Sequence, residues 1–471
     1  MEIKVMQELL KNTDTRRAGF NSRFQKSKKY YFNENDITDR NNGESKTNSK
    51  GKDDLLRSAD NRVSHNYHQL LVDQEAGYLA TTAPQIDVDD NGLNDLIKDT
   101  LGDNFNLYLN QLVVDAANAG VAWVHYWIDS SDQFRYGVVP PNQVTPIYSN
   151  DLNRKLLAVR RSYTQLDPDT GKHFKVHEYW TDKDVTVFKS TSFDYGDLTY
   201  MEDRFPIYDV ATGDEVGTGA RIEHDFGRVP FVAFPKNKYE RPDLLKYKGL
   251  IDVYDKIYNG FVNDVDDIQQ VILILTNYGG QSLDEFKKAL KDDHAVKFES
   301  TGTGDKSGLD KLTIDIPVEA RNSLLNTTEA AIFKEGQGID PNDFKTNNAT
   351  GVAIKMLYSH LELKASMTEA YFRIGLTELI RAILRWQKVA DADGRSISQT
   401  WTRTAIQNNL EQAQTIAQVA AYSSDEAIAK ANPIVDDWQQ ELKDRQDDVV
   451  KKDGYANPEA LDDLNNGGAD E

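Results

Sequence analysis

The sequence predicts an α+β protein that is mainly helical, with an antiparallel sheet in its first half and a small α/β module carried on long helices. Three observations predict it. In residues 243–278, apolar side chains at Tyr247, Ile251, Tyr254, Tyr258, Phe261, Val265, Ile268, Ile272 and Leu275 recur at steps of four and three, a heptad seam on a helix. From Val121 to Ser190 the pattern changes to period two, in short runs joined by turns. After Gly351 a second helical pattern runs to Ala390 without a proline.

Taken in order, a short amphipathic helix spans Ile3 to Leu10, and a polar, lysine-rich arm follows to about Lys52, too poor in apolar residues to pack. A helix is expected from Leu55 to Tyr78, and another from Asn91 to Ala119, stopped by Gly120. VAWVHYWID, FRYGVV, KLLAVRRSYT, HFKVHEYW and VTVFKS then read as strands, with Asp167-Pro168-Asp169-Thr170-Gly171 as a turn, so residues 55–235 form one α+β domain. A strand at 226–235, bracketed by prolines, closes it before the helix of 243–278, which Gly279-Gly280 ends after roughly 50 Å. Asp252, Asp255, Asp264, Asp266 and Asp267 lie off the seam as a solvated acidic flank. A helix at 282–290 packed on a hairpin of 295–298 and 311–316 follows, and a second helix returns over 318–337 with Leu324, Leu325, Thr328, Ala331 and Ile332 buried. Beyond a polar loop at 338–351 come the long helix, a strand in SQTWTRT returning to the first sheet, and helices at 406–421, 425–431 and 435–452. The last fifteen or so residues are acidic and expected to be disordered.

Charge limits the function. The 471 residues carry 76 acids against 55 lysines and arginines, a net of -21, which argues against tight duplex binding but permits DNA to slide past. There is no cysteine, hence no disulfide framework and no thiolate site, which suits an assembled intracellular product. No apolar run approaches the ~18 residues of a membrane span, and the N-terminus lacks a signal-peptide core, so neither secretion nor a membrane is expected.

The motifs that hint at chemistry do not hold together. Asp87-Val88-Asp89-Asp90-Asn91-Gly92 begins like a calcium loop, but Lys98 stands where a bidentate glutamate is needed, leaving an acidic helix start. Gly302-Thr303-Gly304-Asp305-Lys306-Ser307 lacks the glycine before lysine and the following helix of a phosphate loop, so it reads as a hairpin turn. His65 and His68, three apart on a predicted helix, find no further histidine to complete a metal site. Arg403, Arg160, Arg161 and the Lys26-Lys28-Lys29-Tyr30-Tyr31 cluster are the basic spots, the last best read as a helix end at the surface. No catalytic constellation, metal or cofactor is expected, and the chain reads as a non-enzyme.

Four strings carry a resemblance: NRVSHNYHQLLVDQEAGYLA at 61–80, KGLIDVYDKIYNGFVNDVDDIQQVILILTNYGG at 248–280, NNATGVAIKMLYSHLELKASMTEAYFRIGL at 347–376 and WTRTAIQNN at 401–409. In this order and spacing the chain, from about 55 to 450, resembles the portal proteins of tailed double-stranded-DNA bacteriophages, siphophage type. The resemblance implies a portal fold and a homo-oligomeric ring, of twelve subunits in the head, around a channel at one capsid vertex. DNA would be packaged and ejected through it. Implied partners are the terminase, the head-completion adaptor, and the major capsid and scaffolding proteins. The implied location is the virion, after assembly in the host cytoplasm.

The same resemblance divides the chain. The wing would be 1–242, with an N-terminal arm to about 54, and the segment 352–404; the stem 243–278 and 318–337; the clip 279–317; the tunnel loop 338–351; and the crown 405–471. Asp343, Lys345, Asn347 and Asn348 would face DNA, and Tyr247, Ile251, Tyr254, Tyr258, Phe261, Val265 and Ile268 would form the stem's seam between subunits. Turned inward, the acidic flank would repel phosphates and keep DNA contacts transient. A non-portal scaffold or adaptor of a phage particle is the alternative.

Overall fold

The computed structural model describes residues 1–39, 59–208, 215–268, 272–276, 308–312, 317–342, 351–403, 416–432, 435 and 438–445. It divides into two compact units, one of 1–340 with 360–403 and one of 341–359 with 404–471.

The first unit opens with helix α1 (Ile3–Tyr31). The first part of the expected arm is thus helical for about six more turns, because a sparse row of Met6, Leu10, Phe24, Ser27 and Tyr30 is enough to bury one side against the sheets and helices below. Helix α2 (Tyr67–Ala80) begins twelve residues later than predicted. Residues 61–65 are instead extended, and each alternate residue bonds one turn of helix α5 (Leu244–Ile268). The Asn61 amide donates to Asn263 at 2.7 Å, Val63 exchanges two 2.7 Å bonds with Asn259, and the His65 amide donates to Asp255 at 3.1 Å. Two extended residues rise about 6.6 Å and four helical ones 6.0 Å, so the repeats match and override local helix preference.

Strand β1 (Gln85–Asp87) precedes helices α3 (Asn91–Leu101) and α4 (Phe105–Ala119). The single helix predicted here breaks at Gly102, whose φ of 67° no helix accommodates, and α4 stops at Gly120 in the left-handed region. Three strands form one antiparallel sheet, β12 (Phe231–Pro235), β2 (Val121–Ile128) and β3 (Phe134–Val139), in that order. A second antiparallel sheet runs β11 (Arg221–Glu223), β7 (Asp184–Ser190), β6 (His173–Trp180), β5 (Leu156–Leu166), β4 (Val144–Tyr148), with β8 (Thr199–Tyr200) paired to β7. Strands β9 (Phe205–Tyr208) and β10 (Glu215–Gly219) form a separate hairpin. The predicted strands are present, but they build two sheets, joined through Val121, Trp123, Val139, Val144, Val159 and Phe231 in a common core.

Helix α5 ends by Ile268, about ten residues short of the prediction, so it is about 37 Å long. Ile272–Thr276 is strand β13, paired antiparallel with β14 (Gly308–Leu312). Its β-branched and leucine residues keep the apolar rhythm of the helix while taking the other conformation once a partner strand is available. The expected hairpin partner 295–298 and the helix 282–290 lie outside the described residues. Helix α6 (Val318–Gly336) packs along α5 through Leu325, Thr328, Ile332 and Phe333, whereas Leu324 is exposed. Helix α7 (Gly351–Trp386) ends four residues early, and β15 (Ser398–Thr400) pairs with β1 rather than with the first sheet. In the second unit, α8 (Asp425–Ala431) has its N-terminus capped by Ser424, which accepts from Ala427.

Candidate functional site

The core where α1, α2, α5 and α6 meet fixes how the rod is mounted. Tyr30, Tyr67, Leu71, Leu244, Tyr247, Ile251, Ile332 and Phe333 form one buried cluster, with Tyr254 packed against it. Tyr247 and Ile251, predicted to face a neighbouring subunit, are therefore consumed inside their own chain. Of the seam, Val265 is exposed and Tyr254, Tyr258 and Phe261 are half-buried; Ile268 closes the helix.

The acidic flank is largely consumed too. Asp255 is buried and takes bonds from Asn35 at 2.7 Å and from the His65 ring at 2.7 Å. Asp252 pairs with Lys248 at 2.7 Å and accepts from Tyr30, Asp264 pairs with Arg321, and Asp266 accepts from Asn61 at 2.6 Å. Asp252 and Asp264, paired with cations, cannot act as a free repulsive lining, whereas the exposed Asp266, bound to a neutral amide, keeps its charge. The side chain of Asp267 lies outside the described residues.

Beneath the cluster sit four buried charges that sequence reading missed. Glu75 of α2, Lys236 after β12, Asp243 before α5 and Lys364 of α7 alternate in sign. Lys364 lies 3.2 Å from Glu75 and 3.4 Å from Asp243, Lys236 lies 3.3 Å from Asp243 and contacts Glu75, and Thr368 donates to Glu75 at 2.7 Å. Although burial opposes it, the two lysines hold both carboxyls below their ordinary range, and the acids hold Lys364 above its own. Next to them His68 Nε2 donates to Asn118 at 3.1 Å, since the Asn118 amide donates to Val114, and His68 Nδ1 accepts from Tyr247 at 2.7 Å. Burial pushes this histidine down to about 4, so it is neutral. The only sequence signal was a lysine and a threonine four apart within the otherwise apolar row of α7.

The root of the 338–351 loop is pinned. Gly338 donates to the Phe333 carbonyl at 2.9 Å, and Gln74 of α2 brackets the Ile339 backbone, accepting at 2.9 Å and donating at 2.8 Å. Asp343, Lys345, Asn347 and Asn348 lie outside the described residues. The basic spots are occupied: Arg403 bridges Glu362 and Glu369 at 3.0 and 2.5 Å, Arg160 pairs with Asp14 at 2.7 Å, Arg161 lies 3.5 Å from Glu178, and Lys26 binds Asp36 at 2.5 Å. Asp90 caps α3 by accepting from Leu93, as an acidic helix start should. A cavity of about 1250 Å³ opens between the two sheets and the end of α7, lined by Trp127, Trp180, Phe226 and Trp386, and its arginines 161, 204 and 385 are paired with Glu178 or Asp393.

The arrangement is thus a long helix bolted by buried ions to a sheet layer, with a loop rooted at its return helix. A family model described as "Phage portal protein, SPP1 Gp6-like" matches residues 10–451. The portal protein of Clostridium phage phiCD119 is 36% identical over 436 residues, covering 88% of this chain and 90% of that protein. That of Bacillus phage SPP1 is 30% identical over 394 residues, covering 81% and 75%. A solved chain from the virion of a native gene transfer agent particle is similar over 77% of this chain and 88% of its own, at 10% identity and a TM-score of 0.41. The chain belongs to the phage portal protein family of the SPP1 Gp6-like type.

Proposed function

We propose that the protein forms a homo-oligomeric ring at one vertex of a phage capsid, and that the double-stranded genome enters and leaves through its centre. The observation that carries this reading is the family match over residues 10–451. The ring is the docking platform for the packaging terminase, the head-completion adaptor, and the capsid and scaffolding proteins, and the protein performs no reaction itself.

The parts divide as wing (1–242 and 352–404), stem (243–278 and 318–337), clip (279–317), tunnel loop (338–351) and crown (405–471). The end of α5 at Ile268 and the pairing of β13 with β14 support a change of conformation inside the stem, ahead of the clip. Asp343, Lys345, Asn347 and Asn348 touch DNA, and the pinned root at Gln74 and Ile339 supports a loop that bends from a fixed base. The half-buried or exposed remainder of the seam, Tyr254, Tyr258, Phe261 and Val265, is left to meet a neighbour, with Ile268 at the helix end beside them.

Averaged images of the purified protein viewed down the particle axis test the ring. A closed annulus with an open centre is expected, and a compact 53.3 kDa monomer under every assembly condition overturns the reading. Alanine at Lys345, Asn347 and Asn348 together should leave ring assembly intact and lower the amount of DNA packaged.

A further inference from the structure

The apolar rows of α7 are two. One row, including Leu361, Ala365, Phe372 and Leu376, is buried in its own chain. On the opposite side His360, Leu363, Met367, Ala370 and Ile374 follow one another at steps of three and four, and all five are exposed. Leu363 and Met367 are 56% exposed and Ile374 65%. A heptad edge over about 21 Å of helix, with three large apolar side chains in water, is the pattern of a helix missing a partner. Its rim is ordered: Arg403 is held by Glu362 and Glu369, and Arg373 by Glu369 and the Gln399 carbonyl. The flanking charges are thus satisfied within the chain and ask nothing of the partner.

A second face lacks a partner as well. On α5, Leu245, Gly249, Val253 and Gly260 are exposed, with the exposed Lys256 among them, opposite the buried Tyr247 and Ile251. A Cβ on Gly249 or Gly260 would meet nothing in the chain. Each glycine costs a helix interior about 1 kcal/mol relative to alanine, with no packing inside the chain to explain it. Two notches beside Val253 suit the approach of bulky side chains from outside.

We propose that the exposed edge of α7, Leu363, Met367 and Ile374, seats on the glycine-notched face of α5 of the next copy of this chain. The inference rests on the ring reading and specifies its interface. A closed ring needs two different, complementary faces on each subunit, since head-to-tail contacts never pair a patch with itself. Here one face is raised and the other recessed, and both belong to the same compact unit. This contact adds an inter-subunit face on the side of α5 opposite the heptad seam, beside whatever the seam's exposed remainder meets.

The cysteine-free chain allows a clean test. Val253→Cys is combined in turn with Leu363→Cys, Met367→Cys or Ile374→Cys, and assembled protein is oxidised and run under denaturing, non-reducing conditions. At least one pair should give a ladder of covalent multimers reaching the full ring, while each single variant gives at most a dimer. If rings form yet none of the three pairs cross-links beyond dimer, the interface is wrong and the ring reading survives. If no rings form from the unaltered chain, the ring reading itself falls. As a second measure, Met367→Glu should reduce ring yield at least tenfold with the helical circular dichroism of the chain unchanged; undiminished yield overturns the proposal.

Discussion

Lys364 shows how much one side chain carries when charges are buried together. Removing it leaves Glu75 and Asp243 sharing Lys236 out of water, so Lys364→Met should lower unfolding free energy by about 3–5 kcal/mol, measured in urea. The double variant with Glu75→Gln should lose less than the sum of the two single changes. The quartet also has a pH signature. The carboxyls of Glu75 and Asp243 are depressed in the folded state, so their stabilisation is fully present above the ordinary carboxylate range and is lost as pH falls from that range through their depressed values. Histidines act at milder acidity. His68, His125 and His177 are buried and pushed down to about 4, so between that value and about 6.5 the unfolded chain binds more protons than the folded one. Stability should therefore fall on acidification in this window, by up to about 1.4 kcal/mol per pH unit for each histidine. Asp115, raised by burial to about 6, opposes one of them, because its protonation favours the folded state as pH drops. Thermal unfolding between pH 7.5 and 5 checks the slope, and His125→Gln should flatten it.

Among the elements, α7 is held closest where it crosses β12. A Cβ on Gly375 would stand 2.8 Å from the Phe234 ring and 2.9 Å from the Ala233 carbonyl, and Phe234 already meets Phe372 edge to face. Gly375→Ala should thus destabilise by about 1–3 kcal/mol despite alanine's better helix propensity. Gly77 in α2 has open space around its Cβ position, so Gly77→Ala should stabilise by up to about 1 kcal/mol. Paired melting curves of the two variants give the contrast. These elements also mark what a sequence discloses. Helices α6 and α7 and strands β2, β3, β5, β6 and β7 were legible because their apolar periods are local properties of the chain. The end of α5 was not: Ile272 and Leu275 continue the heptad rhythm, and only a partner at Gly308–Leu312, more than thirty residues on, selects the strand. The stretch before α2 misled for the same reason, since its bonds run to Asp255, Asn259 and Asn263 almost two hundred residues away. The candidate surfaces were half legible. Heptad spacing located the apolar side of α5, but nothing in the pattern told whether a helix of this chain or of a neighbour would cover it.

For the whole molecule, the net charge of -21 sets the terms of assembly. Copies of so acidic a chain repel one another at long range, and ring closure brings each next to two others. The repulsion acts over about 30 Å at 0.01 M salt and about 8 Å at 0.15 M. An interface of Leu363, Met367 and Ile374 on the notched face of α5 is apolar at its centre, and the charges flanking α7 are already matched within each chain, so salt has little attraction to weaken there. Raising sodium chloride from 0.01 to 0.3 M should therefore increase the fraction of closed rings and leave it high at 1 M, as read by mass photometry. A ring held by salt bridges between subunits behaves oppositely and falls apart over the same range. The same acidity bears on passage of the genome: a body with a net charge of -21 repels phosphates, so DNA retention by empty rings should be low at physiological salt, as read by filter binding.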